Sequence, residues 1–208
     1  MARPRLDDST RDDILDAVDL LLGRFGYGKM SIADVAREAG IGKGTVYLFF
    51  PSKEELVLSA IDRIAERLLT ESQAIVEGPG SPITRLRRCL LVRVLARFDG
   101  AQSHTPSLDE LLAVLRPELL QRRQGHFHRE ARLLEKLLIE GRRQGVLSFV
   151  GARATADALV TATNALLPYS LSRRELGERL LIETRATRVI DLLLTGLRAG
   201  VPSKGTPR

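Results

Sequence analysis

The spacing of apolar residues constrains the fold of this 208-residue chain more than any other feature. Nearly every segment repeats its apolar positions at intervals of three and four, the period of a helix that is buried along one face. No convincing run of alternating apolar and polar residues, bounded by turn residues, predicts a strand. The sequence therefore predicts an all-α protein of about nine helices, long enough to bury a core.

Capping signals predict the first two helices. Thr10 and Asp13 are spaced as an N-cap and its acidic partner, and the apolar stripe that follows them ends at Gly26. Ser31 and Asp34 repeat this spacing before a helix of barely two turns. Such a short helix is unstable alone, so we expect it to pack within a larger unit.

The next turns predict a short third helix and a long fourth one. The turn at residues 40–42 leaves room only for a short helix at 43–50, which Pro51 closes. Ser52 then caps a helix of about 54–76. Because the apolar stripe of this helix continues past the first unit, we expect the helix to belong to both halves of the chain and to act as a lever. Further helices are expected at about 82–98, 107–115, 118–144, 152–167 and 175–199.

The stretch GIGKGTVYLFF at residues 40–50 permits two interpretations. Glycines around a lysine suggest a phosphate-binding loop, but Arg37 stands where that motif needs its first glycine, and Gly44 stands where it needs serine or threonine. The alternative is a helix-turn-helix, whose second helix enters the major groove of DNA. A helical wheel supports the second interpretation, because it separates an apolar side from an outward side. The apolar side holds Val46, Phe49 and Phe50, and the outward side holds Gly44, Tyr47 and Leu48.

Charge and cysteine content restrict the remaining classes of function. The net charge is +6, yet residues 1–53 carry eight basic and eight acidic side chains, so bulk charge supports DNA binding only weakly. One cysteine, Cys89, excludes an internal disulfide, and the sequence has neither a signal peptide nor an apolar run long enough to span a membrane. We therefore expect a cytoplasmic protein. No cofactor, metal site or enzymatic motif is predicted, and His126 and His128 are spaced too unfavourably to share a metal.

Residues 9–63 resemble the N-terminal DNA-binding domain of TetR-family transcriptional regulators. The most specific part is G-x-x-K-G-T-[VL]-Y-x-x-F-x-S-K-E-x-L, from Gly40 to Leu56. The domain boundaries expected from this resemblance are 9–68 for a DNA-binding domain with its helix-turn-helix at about 31–50, 69–199 for a ligand-binding and dimerisation domain, and 200–208 for a disordered tail.

The resemblance implies which residues contact double-stranded DNA. Hydroxyl groups, a lysine and a closely approaching glycine suit phosphate and base contacts. The predicted DNA-binding residues are Ser31, Lys43, Gly44, Thr45, Tyr47, Leu48 and Lys53. Two departures stand out, because many relatives have Ser or Thr at Gly42 and a polar or aromatic residue at Leu48. An outward Leu48 either meets a thymine methyl group or covers Tyr47, and the sequence leaves both open.

The resemblance also implies a homodimer that binds a pseudo-palindromic operator. The segment 175–199 agrees with this, since its apolar residues surround much of the helix and require two buried faces. The predicted dimer interface comprises Leu159, Val160, Thr163, Leu167, Val189, Ile190, Leu193 and Leu197.

A small-molecule effector among the C-terminal helices is the remaining implication. The candidate lining residues, which serve equally as plain core, are Leu86, Leu90, Val94, Phe98, Leu112, Leu115, Phe127, Leu134 and Leu138. The function expected is a repressor released by that effector. The alternative is a ligand-independent DNA-binding protein of the same fold, with an architectural or division-linked role.

Overall fold

The computed structural model describes residues 8–103, 108–168 and 177–198. The expected disordered tail at 200–208 lies outside these residues. The helices within them are α1 (Asp8–Lys29), α2 (Ile32–Glu38), α3 (Lys43–Phe49), α4 (Lys53–Glu77), α5 (Pro82–Ser103), α6 (Leu108–Arg143), α7 (Ala152–Thr163), a short 3-10 helix (Asn164–Leu166) and α8 (Arg179–Gly196). The predicted all-α fold is confirmed.

The predicted caps of α2 and α4 are observed, but the predicted cap of α1 is wrong, because α1 begins at Asp8 and Thr10 lies inside it. Ser31 and Asp34 form a reciprocal capping box at the start of α2, and Ser52 accepts the backbone N–H of Glu55 at the start of α4. The backbone of α1 breaks at Gly26, whose φ of 76° and ψ of 171° favour glycine. One further turn after this break carries the chain to Lys29.

A first apolar core joins α1, α2, α3 and the start of α4. Its centre includes Ile14, Val18, Val35, Val46 and Leu56, all fully buried. On the outer edge of this core, Arg63 of α4 forms ion pairs with Asp16 and Asp19 of α1. This unit holds the helix-turn-helix rigidly on the first part of α4.

Helix α6 departs from the prediction, because it runs unbroken through Pro117, where two helices were expected. Its early turns insert Leu111 and Leu115 into the first core, and its later turns insert Leu134 and Leu138 into a second core. Pro117 itself is exposed, so carbonyl groups freed by the missing N–H can reach water. Packing at both ends therefore outweighs the local cost of the proline.

The second core lies among α5, α6, α7, α8 and the end of α4. Helices α4 and α6 both contribute to each core, and they pack against one another. Leu147, which lies between α6 and α7, pairs with Arg198, which follows α8, in an isolated antiparallel bridge. Among the described residues, no helix is long and apolar enough to cross a membrane.

Candidate DNA-binding face and effector cavity

Helix α3 presents one apolar side to the first core and the opposite side to solvent. Val46 is fully buried and Phe50, the residue after the helix, is nearly so. Tyr47 and Leu48 are 46% and 66% exposed, although both are large apolar side chains. The predicted division of this helix is thus observed, and its outward side is free for a partner.

Gly44 lies on this outward side without a structural need for glycine. A Cβ built at this position would meet no atom within 4 Å, and the residue has no positive φ. The fold of the chain therefore does not require glycine there. A glycine at this exposed position leaves the backbone open to a close approach from outside.

Two lysines of the predicted DNA-binding set lie over aromatic rings. Lys43 Nζ is 5.8 Å from the centroid of the Tyr47 ring, and Lys53 Nζ is 4.2 Å from that of Tyr27. Tyr27 is itself fixed, because its hydroxyl donates to Glu54 Oε1 at 3.0 Å. Burial, followed by this hydrogen bond, raises the pKa of Tyr27 to about 12, so the phenol stays neutral. These contacts hold both ammonium groups near the first turns of α3 and α4.

The hydroxyl of Ser31 is already engaged within its own cap. It accepts the backbone N–H of Asp34 at 3.2 Å and donates to Asp34 Oδ2 at 2.6 Å. This second bond is the first cause that holds the pKa of Asp34 below its usual value. A phosphate would have to compete with Asp34 for that proton. Thr45 is half-buried, whereas Tyr47 is exposed.

Sequence reasoning missed three residues that support this face. Tyr27 positions Lys53, and the only local signal was an aromatic residue between two glycines. Glu110 of α6 accepts the backbone N–H of Gly28 at 3.0 Å, a contact between residues 82 positions apart. Arg11 of α1 lies 5.3 Å from the centroid of the Phe50 ring and adds a cation beside the end of α3.

A cavity of about 120 Å³ lies between α4, α5 and α6. Its walls are mostly apolar, although several of the side chains that line it carry charged groups. The lining residues are Ile61, Asp62, Ile64, Ala65, Arg97, Gly100, Ala101, Leu111, Leu119, Arg122, Arg123, His126 and Pro168.

Of the residues predicted to line an effector pocket, none whose side chain the structure describes lines this cavity. Leu86, Leu90, Val94, Phe98, Leu134 and Leu138 belong to the second core, and Leu115 belongs to the first. Phe127 packs against the second core beside arginine side chains, and the side chain of Leu112 lies outside the described part of the structure. An apolar stripe predicts burial, but it does not distinguish close packing from a cavity.

Hydrogen bonds join some of the charged residues that line the cavity to one another and to their neighbours. Arg122 of α6 donates to Asp62 Oδ2 at 2.6 Å and to Glu55 Oε2 at 2.5 Å, both on α4. Nε2 of His126 lies 2.8 Å from Asp62 Oδ1, and Nδ1 lies 2.7 Å from Arg129. Burial opposes ionisation of Asp62, but the hydrogen bonds from His126 and Arg122 outweigh it, so the pKa of Asp62 is lowered.

The residues of the predicted dimer interface differ in how far the single chain buries them. Leu159, Val160, Thr163, Leu167 and Ile190 are buried inside the chain itself. Val189, Leu193 and Leu197 are half-buried. The large apolar side chains of α8 that face solvent are Leu180, Leu181 and Leu192, exposed by 75%, 45% and 75%. Each helix packs its more apolar side against the core of its own chain.

Metal and redox chemistry find no support among the described residues. No group of three or more His, Cys, Asp or Glu side chains there could hold a metal ion. Cys89 is buried, and this burial raises the pKa of its thiol to about 12. A thiol in that state is a poor nucleophile.

Comparison with known proteins gives consistent results. Residues 14–60 match the family described as bacterial regulatory proteins, tetR family. The HTH-type transcriptional repressor KstR of Mycolicibacterium smegmatis is 30% identical over 102 residues, which are 49% of this chain and 48% of that protein. The chain thus spans about half the length of this curated relative.

Two solved structures share the fold over most of the chain. A TetR/AcrR-family regulator from Thermobifida fusca has a TM-score of 0.70 at 24% identity and covers 91% of this chain and 98% of its own. The regulator FadR of Bacillus subtilis, solved with stearoyl-CoA, has a TM-score of 0.64 at 17% identity and covers 89% and 98%. The matched family and KstR are regulatory, in agreement with the expectation that the chain is not an enzyme.

Proposed function

We propose that this chain, a TetR-family transcriptional regulator, acts as a homodimeric repressor. In this proposal the dimer binds a pseudo-palindromic operator in the cytoplasm, and a small molecule releases it. KstR, the curated relative with the matching N-terminal segment, is named as a repressor.

The observation that carries the proposal is the outward side of α3. Tyr47 and Leu48 remain exposed, and Gly44 leaves room for close backbone approach. Lys43 and Lys53 place positive charge beside these outward-facing residues. Phosphate contacts from these residues would position α3, and its exposed residues would read base edges in the major groove.

The dimer follows from the exposed leucines of α8. Leu180, Leu181 and Leu192 are exposed apolar side chains that a second copy would cover. Two-fold symmetry would then place two copies of α3 about one DNA turn apart, roughly 34 Å or somewhat more. This geometry requires a pseudo-palindromic operator.

In this proposal, the effector that releases the repressor from DNA binds in the cavity between α4, α5 and α6. The cavity contacts α4, whose first residue is the predicted phosphate ligand Lys53. A molecule in the cavity would shift α4 and alter the spacing of the two α3 helices, a coupling typically worth about 1–3 kcal/mol. The stearoyl-CoA bound to FadR supports an effector in this fold.

Selection of random duplex DNA by the purified chain tests the proposal. We expect enrichment of a two-fold-symmetric site, and we expect Tyr47→Ala to weaken binding to it by about tenfold or more, since a hydrogen bond to a charged phosphate is lost. Val150→Ala is the matched control, because Val150 is 97% exposed on the loop before α7. If no site is enriched, or if both variants bind like the parent chain, the assignment of α3 is wrong. A site that no small molecule affects would favour the ligand-independent alternative.

A further inference from the structure

The wall of the cavity between α4, α5 and α6 is almost wholly apolar. Helix α4 contributes Ile61, Ile64 and Ala65 to it, and α6 contributes Leu111 and Leu119. The volume of about 120 Å³ is somewhat smaller than the roughly 150 Å³ of an apolar cavity that holds one benzene molecule. The space therefore suits an apolar group about the size of one benzene ring.

The charged side chains that line the cavity already have partners within the chain. Arg122 donates to Asp62 at 2.6 Å and to Glu55 at 2.5 Å. Arg97 forms an ion pair with Glu130, a carboxylate that is itself buried. The charges beside the cavity are therefore compensated by the fold.

The other two charged or titratable lining residues are engaged as well. Nε2 of His126 lies 2.8 Å from Oδ1 of Asp62, and the guanidinium of Arg123 lies 5.7 Å from the centroid of the Phe127 ring. A charged ligand would lose its hydration in the cavity, and it would have to break one of the existing pairs to gain a partner. A neutral apolar ligand loses little hydration and leaves these pairs intact.

We propose that this cavity binds a small, uncharged apolar molecule and discriminates against charged molecules of the same size. The inference rests on the proposed function, because it takes the cavity as the effector site. It adds the chemical class of the effector and the size of its buried part.

Gly100 of α5 limits the size of the ligand on one side. A Cβ at this residue would lie 2.8 Å from Cδ1 and 3.4 Å from Cγ2 of Ile64, and both residues line the cavity. The side chain of Ile64 thus lies directly against the α5 backbone. At this point α4 and α5 are in contact, so the cavity does not widen between them.

The test compares toluene, benzoate and benzylammonium, which share an aromatic ring and differ in charge. Their binding to the full-length chain is measured by ligand-observed NMR titration. We expect toluene to bind about tenfold or more tightly than either ion, because only the ions lose strong hydration in an apolar space. Binding of either ion as tight as that of toluene, or no binding of toluene, would overturn the proposal.

Two variants locate toluene in the cavity by changing its volume in opposite directions. Ala65→Leu places a larger side chain in the wall and should weaken toluene binding about tenfold or more. Leu119→Ala removes part of the wall and should favour propylbenzene over toluene more strongly than the parent chain does. Opposite changes in size preference do not arise from loss of folding, which would weaken the binding of both ligands.

Ala74→Leu is the matched control. It makes the same substitution on α4, but Ala74 is exposed and does not line the cavity. Its affinity for toluene should equal that of the parent chain. If Ala65→Leu and Ala74→Leu bind toluene alike, and Leu119→Ala keeps the parent's size preference, the ligand does not occupy this cavity.

Operator binding is measured separately, by DNA selection without any ligand. Failure to enrich a site contradicts the proposed function, whereas failure to bind toluene contradicts only the ligand class. Toluene is then added to the complex with the selected site. Release supports the cavity as the effector site, and an unchanged complex at saturating toluene would overturn that role.

Discussion

At the scale of the residue, α3 separates anchoring from recognition within two turns. Val46 supplies the anchor, since it is fully buried beneath the helix. Gly44, Tyr47 and Leu48 face outward and add little to the stability of the fold. Substitutions on the outward side should therefore change DNA binding and leave folding intact.

Leu48→Ala tests whether this exposed leucine reads a base. If its side chain meets a thymine methyl group, the substitution should reduce the preference at one base pair by about 1 kcal/mol. The measurement is DNA selection with parent and variant, with Val150→Ala as control. If Leu48 only covers Tyr47, overall affinity falls and the preferred sequence stays the same.

At the scale of the element, α4 and α6 are the helices that join the two cores. Helix α6 contacts the Gly26–Gly28 turn through Glu110 and contacts α4 through Arg122, Arg129 and His126. A movement of α6 against α4 would thus be transmitted to the base of the helix-turn-helix.

The pH dependence of the unfolding free energy tests whether Asp62 gains stability from its partners on α6. Its pKa is lowered in the folded chain, so its contribution to stability is complete above the unfolded pKa of about 3.9 and is lost as pH falls through the lower folded pKa. The difference in unfolding free energy between the parent and Asp62→Asn should be constant near pH 5 and should shrink towards roughly pH 3. Denaturant titrations at each pH measure it. A difference that stays flat over this range would show that Asp62 gains nothing from its partners.

At the scale of the whole molecule, the leucines of α8 that remain exposed in the single chain mark where the proposed dimer would form. The second core covers Ile182, Ala186 and Ile190, on the opposite side of the same helix. A helix that is apolar on both sides matches a subunit interface better than a solvated surface.

Leu192→Glu should separate the proposed dimer. The side chain is 75% exposed in the single chain, so a charge costs little there, but it would be buried opposite its symmetry mate in a dimer. Light scattering after size exclusion should give a monomer of unchanged helix content that binds its operator weakly. Val150→Glu is the control. A Leu192→Glu protein with the parent's mass would place the interface elsewhere.

Local signals in the sequence determined the fold class and the helix-turn-helix. The capping pairs at Ser31 and Ser52 and the glycine at position 26 act over a few residues, so their effect does not depend on the rest of the chain. The outward side of α3 followed from helical geometry alone.

Tertiary structure decided what local signals cannot encode. The apolar stripes of α7 and α8 predicted burial, yet packing determined that Leu159 and Ile190 face the chain's own core while Leu192 faces outward. Packing at both ends carried α6 through Pro117, and the cavity arose beside Arg122 rather than along the predicted stripes. Each of these outcomes depends on contacts between residues far apart in sequence, which a helical period leaves open because it specifies a face but not its partner.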